Sequence, residues 1–175
     1  MAYNEKQVRE TLEKVIPLLS QLKIEYRFLG SLVTTALNGK LYRRIGDFDL
    51  IIEKEKHPVF REKLLSLGYE EAQGMFSFGR KYLSLETLVH PNLLSVGYFY
   101  GVWKKEGSFQ LGNRVFKMTI DAKALKPKTY SLLDSKFIGV APEVIAVGVM
   151  NSPKNPKRKK EVELLKKKKI KPVKD

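Results

Sequence analysis

A chain of 175 residues, 43% of them hydrophobic, is long enough for one domain with a sizeable core. It has no cysteine, which excludes disulfides, thiolate metal sites and a thiol nucleophile, and its only histidines, His57 and His90, leave any metal mainly to oxygen ligands and so to a hard cation such as magnesium. The formal charge of +14 is unevenly placed: residues 151–175 hold eleven Lys and Arg against three acids, so this seventh of the chain carries +8.

In chain order, Val8, Leu12, Val15, Ile16 and Leu19 recur on one stripe, which predicts a helix from Glu5 to about Leu22, capped by Asn4 and kinked at Pro17. Ile24 to Leu29 alternates and ends at Gly30, and Leu32 to Leu37 is a short helix stopped by Asn38 and Gly39: a strand, a tight turn and a helix. Asp47 to Ile52 reads as a second strand and His57 to Leu67 as a helix ended by Gly68. Met75 to Phe78 and Tyr82 to Val89 read as two more strands. From Leu94 the chain is largely extended, with strands at Val96 to Val102, Arg114 to Ile120 and Lys136 to Val140 before a last helix from Pro142. Helices alternate with strands early and strands crowd together later, which implies an α/β (α+β) fold, a mixed sheet with flanking helices.

Residues 1–150 form the expected domain; 151–175, opening with two prolines, is expected to be a basic tail, a short solvated helix and then a frayed end, able to track nucleic-acid phosphates. His57 and His90 each precede a proline and are expected in loops, without a chemical part. The aromatic run VGYFYGVW, 96–103, reads as buried strand rather than a platform for a base. No apolar run approaches the ~20 residues of a membrane span, and the amino terminus lacks the apolar core of a signal peptide, so no membrane partner and a cytoplasmic location are expected.

The chemistry gathers in FLGSLVTTALNGKLYRRIGDFDLII, 28–52. In a strand, residues two apart share a face, so Asp47 and Asp49 project together while Phe48 and Leu50 enter the opposite side. Two carboxylates that close repel unless a cation lies between them, and oxygen-only ligation with retained waters suits magnesium, which in turn clamps phosphate oxygens. Gly30 lets backbone approach a ligand, and the amides of the following helix start, with the Ser31 hydroxyl, suit an anion. A nucleoside triphosphate carrying magnesium matches both halves.

Leu29-Gly30-Ser31, fifteen residues, then Asp47-Phe48-Asp49-Leu50 resembles the signature of the nucleotidyltransferase superfamily, the polymerase beta-like fold that includes minimal and antibiotic nucleotidyltransferases. The similarity extends over about residues 5–150 and takes in LLSLGY and FIGVAPEVI. The resemblance implies two magnesium ions held by Asp47, Asp49 and a third carboxylate, with transfer of a nucleoside monophosphate to a hydroxyl acceptor and release of pyrophosphate. Glu86, in KYLSLETLV, is preferred as that third acid, and Asp121, in VFKMTIDAK, is the alternative. Ser31 and the Gly30 turn would orient the β and γ phosphates, and Arg43 and Arg44 would neutralise the triphosphate. The helix after Pro142 offers no lysine in AVGVMN where relatives often place one. The acceptor, whether small molecule, RNA or protein, is left open, and the competing reading is a catalytically weakened member acting as a nucleic-acid-binding or toxin-antitoxin adaptor module.

Overall fold

A computed structural model describes residues 4–72, 84–112, 117–150 and 158–172. The strand expected at Met75–Phe78 lies outside the described residues, as do the starts of those expected at Tyr82 and Arg114. Helix α1 spans Glu5–Gln21 and buries Val8, Leu12, Val15 and Leu19, the stripe that its sequence spacing dictates. Pro17 sits inside α1 without ending it. Asn4 does not cap: its side-chain amide donates to the Ile45 carbonyl (2.6 Å) and its Oδ1 accepts from the Ile45 amide (3.2 Å). The first turn of the chain is thereby fastened to the loop that leads into the acidic strand.

Strand β1 (Tyr26–Phe28), helix α2 (Gly30–Asn38), strand β2 (Asp47–Glu53) and helix α3 (His57–Ser66) follow, then β3 (Glu70–Glu71), β4 (Leu85–Val89), β5 (Ser95–Trp103), β6 (Phe109–Gly112) and β7 (Lys117–Ile120). Strands β8 (Lys128–Leu132) and β9 (Ser135–Gly139) close the sheet, and helices α4 (Pro142–Met150) and α5 (Lys159–Lys167) complete the described chain. The sheet order is β3-β4-β5-β2-β1-β9-β8, with β6 joined to β5 and β7 to β6. Among the described strands only β2 with β5 and β1 with β9 run parallel; the other pairs are antiparallel, so the sheet is mixed with helices around it, as expected.

Strand β8 escapes the sequence pattern because its hairpin turns through Leu133 and Asp134, both with positive φ (50° and 67°), where asparagine and glycine are the usual signal. Arg9 of α1 holds that turn, donating from Nη1 to the Leu133 carbonyl (3.1 Å) and to Asp134 Oδ2 (2.9 Å).

The core is one cluster. Phe28 meets Phe48 and Phe137 edge-on (5.8 and 5.3 Å between centroids), and Phe60 of α3 meets Tyr98 edge-on at 5.1 Å. This confirms 96–103 as a largely buried strand. The segment expected to be a solvated tail contributes to it: α5 buries Leu165 completely against the core and packs on α4. The outer side of α5 keeps Lys159, Lys160, Lys166 and Lys167 exposed. Among the described residues no helix is long and apolar enough to cross a membrane.

Candidate active site

The parity of β2 decides where its acids point. Phe48, Leu50 and Ile52 are buried, while Asp47 is exposed and Asp49 half-buried on the other face. The Leu29 amide donates to the Asp49 carbonyl (2.8 Å), which draws the end of β1 against β2 and brings the following turn over that face. The turn needs glycine. Gly30 has φ +62°, and a Cβ there would stand 2.9 Å from Asp49 Oδ2. Leu29 precedes α2 in an extended conformation, so the amides that open this nine-residue helix face the cleft beside Ser31.

The result is one cleft of about 380 Å³. Leu29, Gly30, Ser31 and Thr34 form one wall, Asp47 and Asp49 the acidic floor, and Val144, Ile145 and Val149 of α4 an apolar wall. Arg43, Arg158 and Glu161 complete it. Burial first, and the Asp47 charge second, push the Asp49 carboxyl up to about 6. Arg43 Nη2 is 2.6 Å from Glu161 Oε1, and the Tyr42 hydroxyl donates to the same oxygen at 3.5 Å. Burial, and then the Glu161 charge, push the Tyr42 hydroxyl up to about 12.

The sequence-predicted residues divide accordingly. Asp47, Asp49, Gly30 and Ser31 line one cleft. Glu86 does not join them. The strand beside β2 is β5, and across it Thr87 is in register with Gly97 and Asp49, whereas Glu86 is in register with Tyr98 and Leu50 on the opposite face. There Glu86 is buried, its Oε2 3.4 Å from His57 Nε2 and its Oε1 3.9 Å from Arg61 Nε, and Arg61 also pairs with Glu71. Asp121 fares no better: it follows Ile120, which is in register with Phe109 and, through it, with Trp103. Trp103 lies six residues along β5 from Gly97, roughly 20 Å at strand spacing. The Asp121 carboxylate accepts from the Lys123 amide (2.7 Å) in a local turn.

Arg44 is exposed and outside the cleft lining, and its neighbour Arg43 lines the cleft instead. His57, expected in a loop, opens α3 and stacks on Tyr100 (3.9 Å, 16°) beside Glu86. His90 does lie outside the regular elements, its Nδ1 accepting from the amides of Asn92 and Leu93. Sequence reasoning missed Arg158 and Glu161, which it left in the tail. The signal available was the amphipathic spacing Glu161, Leu165 in an otherwise basic stretch.

No family model matches the sequence, and neither does any curated protein. Solved structures do match. The chain is similar to the lincosamide antibiotic adenylyltransferase LnuA in its lincomycin-bound crystal structure, at 17% identity over 95% of this chain and 98% of that one, with a TM-score of 0.72. It is similar to the antibiotic-resistance factor ANT(2'')-Ia in solution, at 13% identity over 90% and 82% of the two chains and a TM-score of 0.63. It is similar to an antigenic nucleotidyltransferase-like protein from Paracoccidioides brasiliensis, at 16% identity over 92% and 73% and a TM-score of 0.56. The chain has the nucleotidyltransferase fold. Within this nucleotidyltransferase fold the strand pairing brings Asp47, Asp49, Gly30 and Ser31 to one cleft. Among the described residues no three His, Cys, Asp or Glu side chains gather to hold a metal, because Glu86 faces the other way.

Proposed function

We propose that this chain is a nucleotidyltransferase that moves a nucleoside monophosphate from a nucleoside triphosphate to a hydroxyl acceptor in the cytoplasm. The observation that carries the reading is the cleft in which Asp47 and Asp49 face the Gly30-Ser31 turn. The turn supplies amides and a hydroxyl for the β and γ phosphates, Arg43 and Arg158 add positive charge, and the apolar wall of α4 suits a nucleobase. An adenylyltransferase among the similar structures supports adenosine triphosphate as the donor.

The residues suit magnesium in a limited way. Asp47 and Asp49 are hard oxygen donors on one strand face, and magnesium is commonly held by one or two carboxylates together with substrate phosphates. They would hold one ion; the second of the two expected ions finds no third carboxylate among the described residues. When bound, the ion supplies charge that offsets the developing negative charge on the transferred phosphoryl group. In the transfer the acceptor oxygen forms a bond to the α-phosphorus as the α–β bridging bond breaks. Pyrophosphate leaves with the electron pair, and the hydroxyl proton passes to a cleft carboxylate and on to solvent.

The test is pyrophosphate release from each labelled nucleoside triphosphate with magnesium, against the Asp47→Ala, Asp49→Ala double variant. Release by the wild-type chain alone, in the presence of hydroxyl-bearing acceptors and with the labelled nucleoside monophosphate recovered on an acceptor, supports transfer. One observation favours a second reading, a module that binds nucleotide or nucleic acid without transferring: Gly97 stands on β5 beside Asp49 where a third acid would complete the cluster. Nucleotide binding without any pyrophosphate release from any triphosphate would favour that module. Salt-dependent RNA binding through the exposed lysines of α5 would add a nucleic-acid partner to either reading.

A further inference from the structure

Glu161 is out of place in a site for a triphosphate. Its side chain is only 6% exposed, and it lines the cleft shared by the Gly30-Ser31 turn, Arg43 and Arg158. A buried carboxylate repels phosphate oxygens, so the polyphosphate does not lie against it. Nor does it belong to the metal end of the cleft: among the described residues no three acids gather, which leaves Glu161 too far from Asp47 and Asp49 to share an ion with them.

Only half of this carboxylate is engaged. Oε1 accepts from Arg43 Nη2 (2.6 Å) and from the Tyr42 hydroxyl (3.5 Å), while no described residue donates to Oε2. An acceptor buried without a donor is costly to keep, and a carboxylate only accepts, so the missing partner is an N–H or O–H of whatever fills the cleft. The wall beside it narrows the choice. Val144, Ile145 and Val149 of α4 line the same cleft and offer flat apolar contact, which suits a nucleobase better than ribose hydroxyls.

Resting on the nucleotidyl-transfer reading, we propose that Glu161 selects the base of the donor: its Oε2 accepts a hydrogen bond from the 6-amine of adenine and turns away purines that carry a carbonyl at that position. Tyr42 and Arg43 hold Oε1, so Oε2 is left to the ligand. A purine carbonyl set against it brings two acceptors together with no proton between them, and a buried polar group left unpaired in this way is what makes such sites discriminate.

Titration calorimetry on the full chain tests this without turnover. ATP, inosine triphosphate, guanosine triphosphate and 2′-deoxyATP are each titrated with magnesium and no acceptor; the inosine nucleotide differs from ATP only in carrying a carbonyl in place of the 6-amine. Inosine and guanosine triphosphates should bind at least about tenfold more weakly than ATP, the scale of one hydrogen bond to a charged group, and loss of the 2′-hydroxyl should change affinity by less than about twofold. In Glu161→Gln the side-chain carbonyl can stay with Arg43 while the amide donates to the ligand, so the preference for ATP over inosine triphosphate should vanish or reverse. Glu161→Asp, which keeps the charge and shortens the reach, should narrow the ratio too and covers the case in which the amide variant does not fold. A purely structural role would weaken all the nucleotides alike and leave their ratios unchanged, which would overturn the proposal. So would equal affinity of the wild type for ATP and inosine triphosphate, or selection that falls on the 2′-hydroxyl instead; in both cases nucleotide binding, and with it the nucleotidyl-transfer reading, would stand. Absence of binding by all four triphosphates would sink that reading and the base selection with it.

Discussion

Asp49 is held in a state that suits a ligand better than it suits the empty fold. Its folded pKa of about 6 lies above the usual carboxylate range near 3.9, so folding takes up a proton between those values. The metal-free protein is therefore expected to gain stability as pH falls from about 7 to 4 and to lack that increment at pH 8. Asp49→Asn should raise the melting temperature of metal-free protein at pH 8, by the equivalent of about 1–3 kcal/mol, leave it nearly unchanged at pH 4.5, and abolish pyrophosphate release. Thermal melts at the two pH values check the sign. Divalent-cation affinity, read by titration calorimetry, should fall below about pH 6 as the carboxyl takes its proton.

Glu86 gives the opposite expectation. Buried against His57 and Arg61, it serves the packing of α3 on the sheet. Glu86→Gln should cost about 1–3 kcal/mol in a denaturant melt while leaving nucleotide affinity within about twofold. A carboxylate that ligated a metal would show the reverse: a small stability change and lost activity.

At the level of elements, the Gly-Ser turn and the acidic strand were legible because each is specified locally. Positive φ calls for Gly30, and a period of two puts Asp47 and Asp49 together whatever the strand pairs with. Glu86 was misjudged because its face depends on register across β5, and one residue of shift turns a side chain to the other face. At that level Thr87 faces Asp49 and its predecessor does not. The helix in the basic segment was expected, but its burial was misjudged because charge dominates the composition of α5, whereas two side chains on one stripe decide its packing: Leu165 in the core and Glu161 on Arg43. Leu165→Ala is expected to cost about 2–4 kcal/mol of unfolding free energy. Glu161→Ala leaves Arg43 half-buried without its carboxylate and should lower both stability and the ordering of the Arg43 loop, which hydrogen exchange at residues 40–46 would report.

Over the whole molecule, the fold class and the early alternation of helices with strands followed from periodicity, whereas β6 and β8 did not, and α5, set beyond the boundary at residue 150, shares the core of the rest. Of the net charge of +14, residues 151–175 carry +8, and the exposed lysines of α5 present part of it to solvent. Reversing two of them, Lys166→Glu with Lys167→Glu, should lower the retention of the protein on a polyanionic column at moderate salt and leave its melting temperature within about 2 °C.

Asn4 and Glu161 reach the same short loop from opposite ends of the described chain, one gripping Ile45 and the other Arg43, two residues apart. The approach to Asp47 is thus buttoned at both ends of the described chain, and a fusion partner or protease that disturbs Asn4 or Glu161 will loosen the acidic strand's lead-in. Enzymologists comparing tagged preparations should find the tag's position written into their catalytic constants, with lower melting temperatures wherever the tag also disturbs Glu161 or Leu165.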